Sequence, residues 1–152
     1  MRSTANQLNT IVIIESDGEH KAHIDVYQQN QAGISLISKD TIPSALSYLE
    51  TIQRTPSSLP TLLLVDHNEL SKADYALFDE LQKRALRSSI PVIVLSDTDD
   101  RSMIEEAYDR GVASFFMKPR AYSEWHSFLN LLIQYWFKEV TLPGYSIARQ
   151  GA

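Results

Sequence analysis

The chain has no cysteine in its 152 residues. Disulfides, thiolate metal sites and cysteine nucleophiles are therefore excluded. It also lacks a long hydrophobic run. The first apolar stretch follows the polar "MRSTANQLNT" and is four residues long, too short for a signal-peptide core or a membrane span. A cytoplasmic protein is the expectation. Positive charge is not in excess: 14 Lys and Arg against 19 Asp and Glu leave a formal net charge of -5, with the two signs interspersed. That balance argues against bulk electrostatic binding to nucleic acid or an anionic membrane. Glycine is scarce, at five residues, and none sits in a glycine-rich phosphate loop. The four histidines include no pair at helical ligand spacing beside a carboxylate cluster, so His67 and His126 do not suggest a metal centre. His20 and His23 lie on a polar helix pattern and read as solvated.

What is present is an alternation of short apolar runs with helical patterns. "TIVIIE" (10–15), "GISLI" (33–37), "TLLLVD" (61–66), "IPVIVLS" (90–96) and "VASFFMK" (112–118) read as strands. They are rich in β-branched residues and lack polar alternation, as strands buried on both faces of a parallel sheet do. Helix patterns lie between them. The first, about 17–30, has only the thin stripe of Ile24 and Tyr27. The second carries Ile42, Ala45, Leu46 and Leu49. The third carries Leu77, Leu81 and Ala85, and the fourth Met103, Ile104, Ala107 and Tyr108, with Gly111 as its stop. The fifth, about 121–139, has a continuous stripe of Trp125, Phe128, Leu129, Leu132, Ile133 and Trp136. Five strands alternating with five helices predict a doubly wound α/β domain over 10–139. Residues 1–9 read as a flexible lead-in, "QRTPSSLP" (53–60) as a loop, and 140–152 as a tail outside the core.

Three of the apolar runs end in a polar residue that a buried strand does not need. Asp66 ends the third, Ser96 the fourth and Lys118 the fifth. In doubly wound folds ligands bind at the carboxyl ends of the strands. An acid, a hydroxyl and an ammonium at those ends are the parts required to accept and hold a phosphoryl group. Each alone would be mundane: a helix cap, a turn hydroxyl, a surface lysine.

Together these residues resemble the receiver domain of two-component response regulators. The segments that carry the resemblance are "IIESD", "LLLVDHN", "IVLSD" and "FFMKP", with 30 residues from Asp66 to Ser96 and 22 from Ser96 to Lys118. The loop "QRTPSSLP" and the ending "LLIQYWFKEVTLP" are similar to the small single-domain regulators of bacterial phytochromes. The resemblance implies a five-stranded parallel sheet of order 2-1-3-4-5, the flavodoxin-like receiver fold. It implies Asp66 as phosphoacceptor, Ser96 and Lys118 as phosphoryl-binding residues, and a Mg²⁺ ion held by Glu15, Asp66, the backbone carbonyl of Asn68 and the position of Ser16. It further implies a switch aromatic at Phe115 and a cis bond between Lys118 and Pro119. A flavodoxin-like cofactor binder on the same fold class is disfavoured by the missing glycine-rich phosphate loop.

Two departures stand out. Ser16 occupies a position where an acid ligates the metal, and a neutral hydroxyl predicts weak Mg²⁺ affinity. Asp97 follows Ser96 where a small residue is preferred, and its carboxylate would repel an incoming dianion if it pointed inward. Two readings result: a working phosphoacceptor served by a sensor histidine kinase, or a pseudo-receiver that binds partners without phosphorylation. Neither is an enzyme in its own right. Output in both is through contact with a downstream protein. Leu131, Tyr135 and Phe137 give the fifth helix a second apolar side, and the resemblance implies a homodimer through the fourth helix, fifth strand and fifth helix.

Overall fold

Strands form where β-branched and aliphatic residues run without polar interruption, and the computed structural model places them there. It describes residues 9–30, 33–53, 61–84 and 90–139. Five strands, β1 (Asn9–Ile14), β2 (Ile34–Lys39), β3 (Thr61–Asp66), β4 (Val92–Ser96) and β5 (Ser114–Met117), form one sheet of order β2-β1-β3-β4-β5. Every pairing is parallel. The expected topology is the observed one, and strand bounds shift by at most two residues.

The side-chain period of two sends alternate strand residues to opposite cores. Val12, Ile14, Leu63, Val65, Val92 and Val94 pack against α2 (Ile42–Gln53), α4 (Ala76–Lys83) and α5 (Arg101–Asp109). Ile11, Ile13, Leu62, Leu64, Ile93 and Leu95 pack against α1 (Gly18–Gln29) and α6 (Tyr122–Ile133). Both faces are covered, which is why the strands carry no polar alternation.

The stretch after β3 differs from expectation. Periodicity predicts a single helix around Leu77 and Leu81. The chain instead forms a short α3 (His67–Lys72), reverses, and then forms α4. The reversal uses Asp74 (φ 52°) and Tyr75 (φ 59°), two non-glycine residues in the left-handed region. Tyr75 is held there by its N–H donating to the Leu70 carbonyl (2.9 Å) and by a 3.1 Å hydrogen bond between its hydroxyl and His67 Nε2. Ala85, the loop at 54–60, residues 1–8 and the tail at 140–152 lie outside the described residues.

Two helix ends obey their sequence signals. Asp17 caps α1 by accepting from the Glu19 and His20 N–H groups. Gly111 (φ 106°) ends α5 as predicted. The last helix changes pitch: α6 continues into a π-helical segment, Gln134–Glu139. Trp125, Leu129, Leu132 and Ile133 are buried, and Leu131 and Tyr135 are more than half exposed. Phe137 is not on the exposed side, because it packs on the α1/α6 core.

Candidate functional site

The carboxyl ends of β1, β3 and β5 bring three charged side chains together. Glu15 lies immediately beyond β1 and is 1% exposed, Asp66 ends β3 at 5%, and Lys118 follows β5 at 8%. Lys118 Nζ is 3.0 Å and 3.1 Å from the two carboxylate oxygens of Glu15, and 3.4 Å from Asp66 Oδ1. Burying ions is costly unless each is compensated, so one ammonium between two carboxylates is a mutually dependent set. Burial pulls the Lys118 pKa down. The hydrogen bond to Glu15 and the charges of Glu15, Asp66 and Asp97 more than offset it, and the net shift is upward.

Asp66 also caps α3, its Oδ1 accepting from the Asn68 N–H at 3.3 Å. Asp66 is therefore both the cap of α3 and a partner of the buried Lys118 ammonium. Ser96 is buried at the end of β4, one position beyond the Leu95 that pairs with Asp66. Its hydroxyl is engaged locally: Oγ accepts from the Thr98 N–H at 3.1 Å and donates to Met103 Sδ at 3.6 Å. Its carbonyl accepts from the Lys118 N–H at 2.8 Å, which ties the β4 end to the lysine. The Lys118–Pro119 bond is trans, not cis. That is the lower-energy isomer of an X-Pro bond. Asp97 is exposed and acts on Lys118 through its charge. Phe115 is partly buried against the α2/α4/α5 core, its ring 6.2 Å from that of His67, and its N–H donates to the Tyr108 hydroxyl at 3.2 Å.

Ser16 is exposed and faces a residue that sequence reasoning does not single out. Its Oγ lies 3.5 Å from Glu69 Oε2. Ser16, Asp66, Asn68, Glu69, Ser71 and Lys72 line one open cleft. Glu69 leaves no trace in the sequence because "HNELSK" has no apolar period, and no helix is expected there to aim it. His20 is not solvated, as its polar helix pattern suggests, but half-buried. Its ring lies 5.5 Å from Trp125, and its Nδ1 is 3.6 Å from Glu15. His67 is buried beside Tyr75, and burial lowers its pKa against the opposing pull of Asp66 and Glu106.

Among the described residues no three His, Cys, Asp or Glu side chains converge as a closed metal-ligand set. The cleft instead offers oxygen donors: the carboxylates of Asp66 and Glu69 and the Ser16 hydroxyl. That donor chemistry fits a hard divalent cation that keeps several waters. Among the described residues no helix is long and apolar enough to cross a membrane.

No protein-family model matches the chain. A curated relative, a probable methanogenesis regulatory protein, FilR2, of Methanothrix harundinacea, is 26% identical over 102 residues, which are 66% of this chain and 65% of that protein. The match thus spans just under two thirds of the relative's length. Among solved structures, the phosphorylated cyanobacterial phytochrome response regulator RcpA superposes with a TM-score of 0.73 at 22% identity, over 90% of this chain and 99% of that one. The Mn²⁺-bound response regulator Rcp1 superposes with a TM-score of 0.67 at 20% identity, over 88% and 98%. Sheet order, strand-end geometry and these likenesses converge, and the chain has the receiver-domain fold of response regulators.

Proposed function

We propose that this protein is a response regulator that accepts a phosphoryl group on Asp66 from a sensor histidine kinase and signals by protein contact. The observation that carries this reading is the buried Lys118 ammonium, 3.4 Å from Asp66 Oδ1 at the carboxyl end of the sheet. In the transfer, a carboxylate oxygen of Asp66 attacks phosphorus. The bond from phosphorus to the donor's imidazole nitrogen breaks, and that nitrogen leaves with its electron pair and takes up a proton. Lys118, already between the two carboxylates, tracks the added negative charge as a mobile point charge. Ser96 exchanges its local hydrogen bonds for one to the phosphoryl oxygen. Glu15, Asp66, the Asn68 carbonyl and the Ser16 side of the cleft would hold a Mg²⁺ ion, which when bound neutralises charge on the phosphoryl oxygens. Phe115, packed against the α2/α4/α5 core and His67, is the residue that would report the change to the outer surface.

Output is assigned to the face formed by α5, β5 and α6, with a downstream protein or a second copy of the chain as its partner. Residues 10–139 constitute the receiver domain in this reading. Nucleic acid and membrane are not partners, in keeping with the net charge of -5. The pseudo-receiver alternative is favoured by one observation, the neutral Ser16 at the cleft.

The two readings separate in one experiment. The protein is incubated with acetyl phosphate and Mg²⁺ and weighed intact. A gain of one phosphoryl mass, absent in Asp66→Asn, supports the phosphoacceptor. No gain under conditions that modify a known receiver domain refutes it and leaves the pseudo-receiver.

A further inference from the structure

We infer that Glu69 supplies the carboxylate that Ser16 lacks, so that the metal site is relocated across the cleft from the β1–α1 loop to the first turn of α3. The inference rests on the receiver reading for the presence of a metal site, and concerns which residue completes it.

Three observations carry it. First, Glu69 Oε2 lies 3.5 Å from Ser16 Oγ, so the carboxylate reaches the space an acid at position 16 would fill. Second, Glu69 is 8% exposed, an unusual condition for a carboxylate on a short surface helix. Its cation is Lys72 Nζ at 3.0 Å, whose own side chain is 70% exposed. A cation so far in solvent is held weakly and is readily displaced. Third, Asp66 and Glu69 are three residues apart at the start of one helix and line the same cleft as Asn68 and Ser16. Glu15 keeps its place beside them: its Oε2 takes the Lys118 ammonium and the Asp17 N–H, while its buried Oε1, 3.0 Å from the same ammonium, accepts no hydrogen bond among the described residues. Asp17 is engaged as the cap of α1. Two carboxylates, Asp66 and Glu69, restore the negative charge that a hard divalent cation requires.

Lys72 then acts as a competitor. With the site empty it neutralises Glu69, and with a cation bound it is released to solvent.

The test uses the whole chain and Mn²⁺ as the probe, with free Mn²⁺ read by electron paramagnetic resonance and binding by calorimetry. No phosphodonor is present. Glu69→Gln should weaken Mn²⁺ binding by about tenfold or more. Lys72→Ala should tighten it by about threefold, a gain that misfolding cannot imitate. Ser16→Asp placed in the Glu69→Gln background should recover most of the loss. Unchanged affinity in Glu69→Gln overturns the assignment. So does a wild-type chain that takes up no Mn²⁺ at millimolar concentration, or a Ser16→Asp change that fails to rescue. The acetyl phosphate experiment remains separate. Phosphorylation of Asp66 with Glu69-independent Mn²⁺ binding sinks this assignment alone. Glu69-dependent Mn²⁺ binding without phosphorylation sinks the phosphoacceptor reading alone.

Discussion

Replacing Lys118 with methionine keeps the approximate length and volume of the side chain and removes the charge. Glu15, at 1% exposure, loses contacts of 3.0 and 3.1 Å, and Asp66, at 5%, loses one of 3.4 Å. Two carboxylates would then share a buried end of the sheet without a cation. Breaking a buried ion pair from one side costs about 3–5 kcal/mol. For a domain of this length that corresponds to a fall in thermal midpoint of roughly 6–20 °C. Urea unfolding monitored by the fluorescence of the buried Trp125 measures it at pH 7. The sign with pH is also set. The folded-state pKa of Lys118 is raised, so the stability it contributes is fully present below its ordinary value of 10.5 and is lost as pH rises through the raised folded value. The gap between wild type and Lys118→Met should therefore be constant near neutrality and close only above pH 10.5. A variant within about 1 kcal/mol of wild type at pH 7 would refute the reasoning, because the two carboxylates would then have to be solvated or already protonated.

Three further perturbations have expected outcomes. His67 has a lowered pKa in the fold through burial, so stability should fall as pH drops below its ordinary value of 6.5, and His67→Phe should flatten that acid-side slope in a pH series of thermal melts. Leu63→Ala removes a fully buried side chain between sheet and helices and should cost about 2–5 kcal/mol by urea unfolding. Leu131→Ala, at a position 58% exposed, should stay within about 0.5 kcal/mol in the same assay.

The sheet is legible in the sequence because each strand is an uninterrupted apolar run, and a run buried on both faces has few alternative folds. The three strand-end residues are legible for the complementary reason: a charge or hydroxyl directly after such a run is conspicuous. Glu69 is not, because a six-residue helix with both faces partly polar leaves no periodic trace. Tyr75 is not, because its left-handed backbone is supported by a hydrogen bond to His67 eight residues earlier, and local propensity disfavours a bulky residue there. His20 illustrates the same limit. Its helix is polar in composition, and only the packing of α6 places Trp125 beside it. Lys118–Pro119 is the instructive case in the other direction, since the resemblance implies a cis bond that the chain does not adopt.

The contact between Glu15 and Lys118 spans 103 residues of sequence. During synthesis Glu15 emerges early, and its counter-ion is made only once the segment of the last strand has been added. Until then the first strand carries a carboxylate at the brink of an interior with nothing to neutralise it. The loop that this contact closes is among the longest in the domain, so it should form late, after the central strands have paired. A nascent chain that stops short of Lys118 would lack both this ammonium and α6, so one face of the sheet would stay partly open as well. The segment from Lys118 onward thus supplies the counter-ion and the covering helix together.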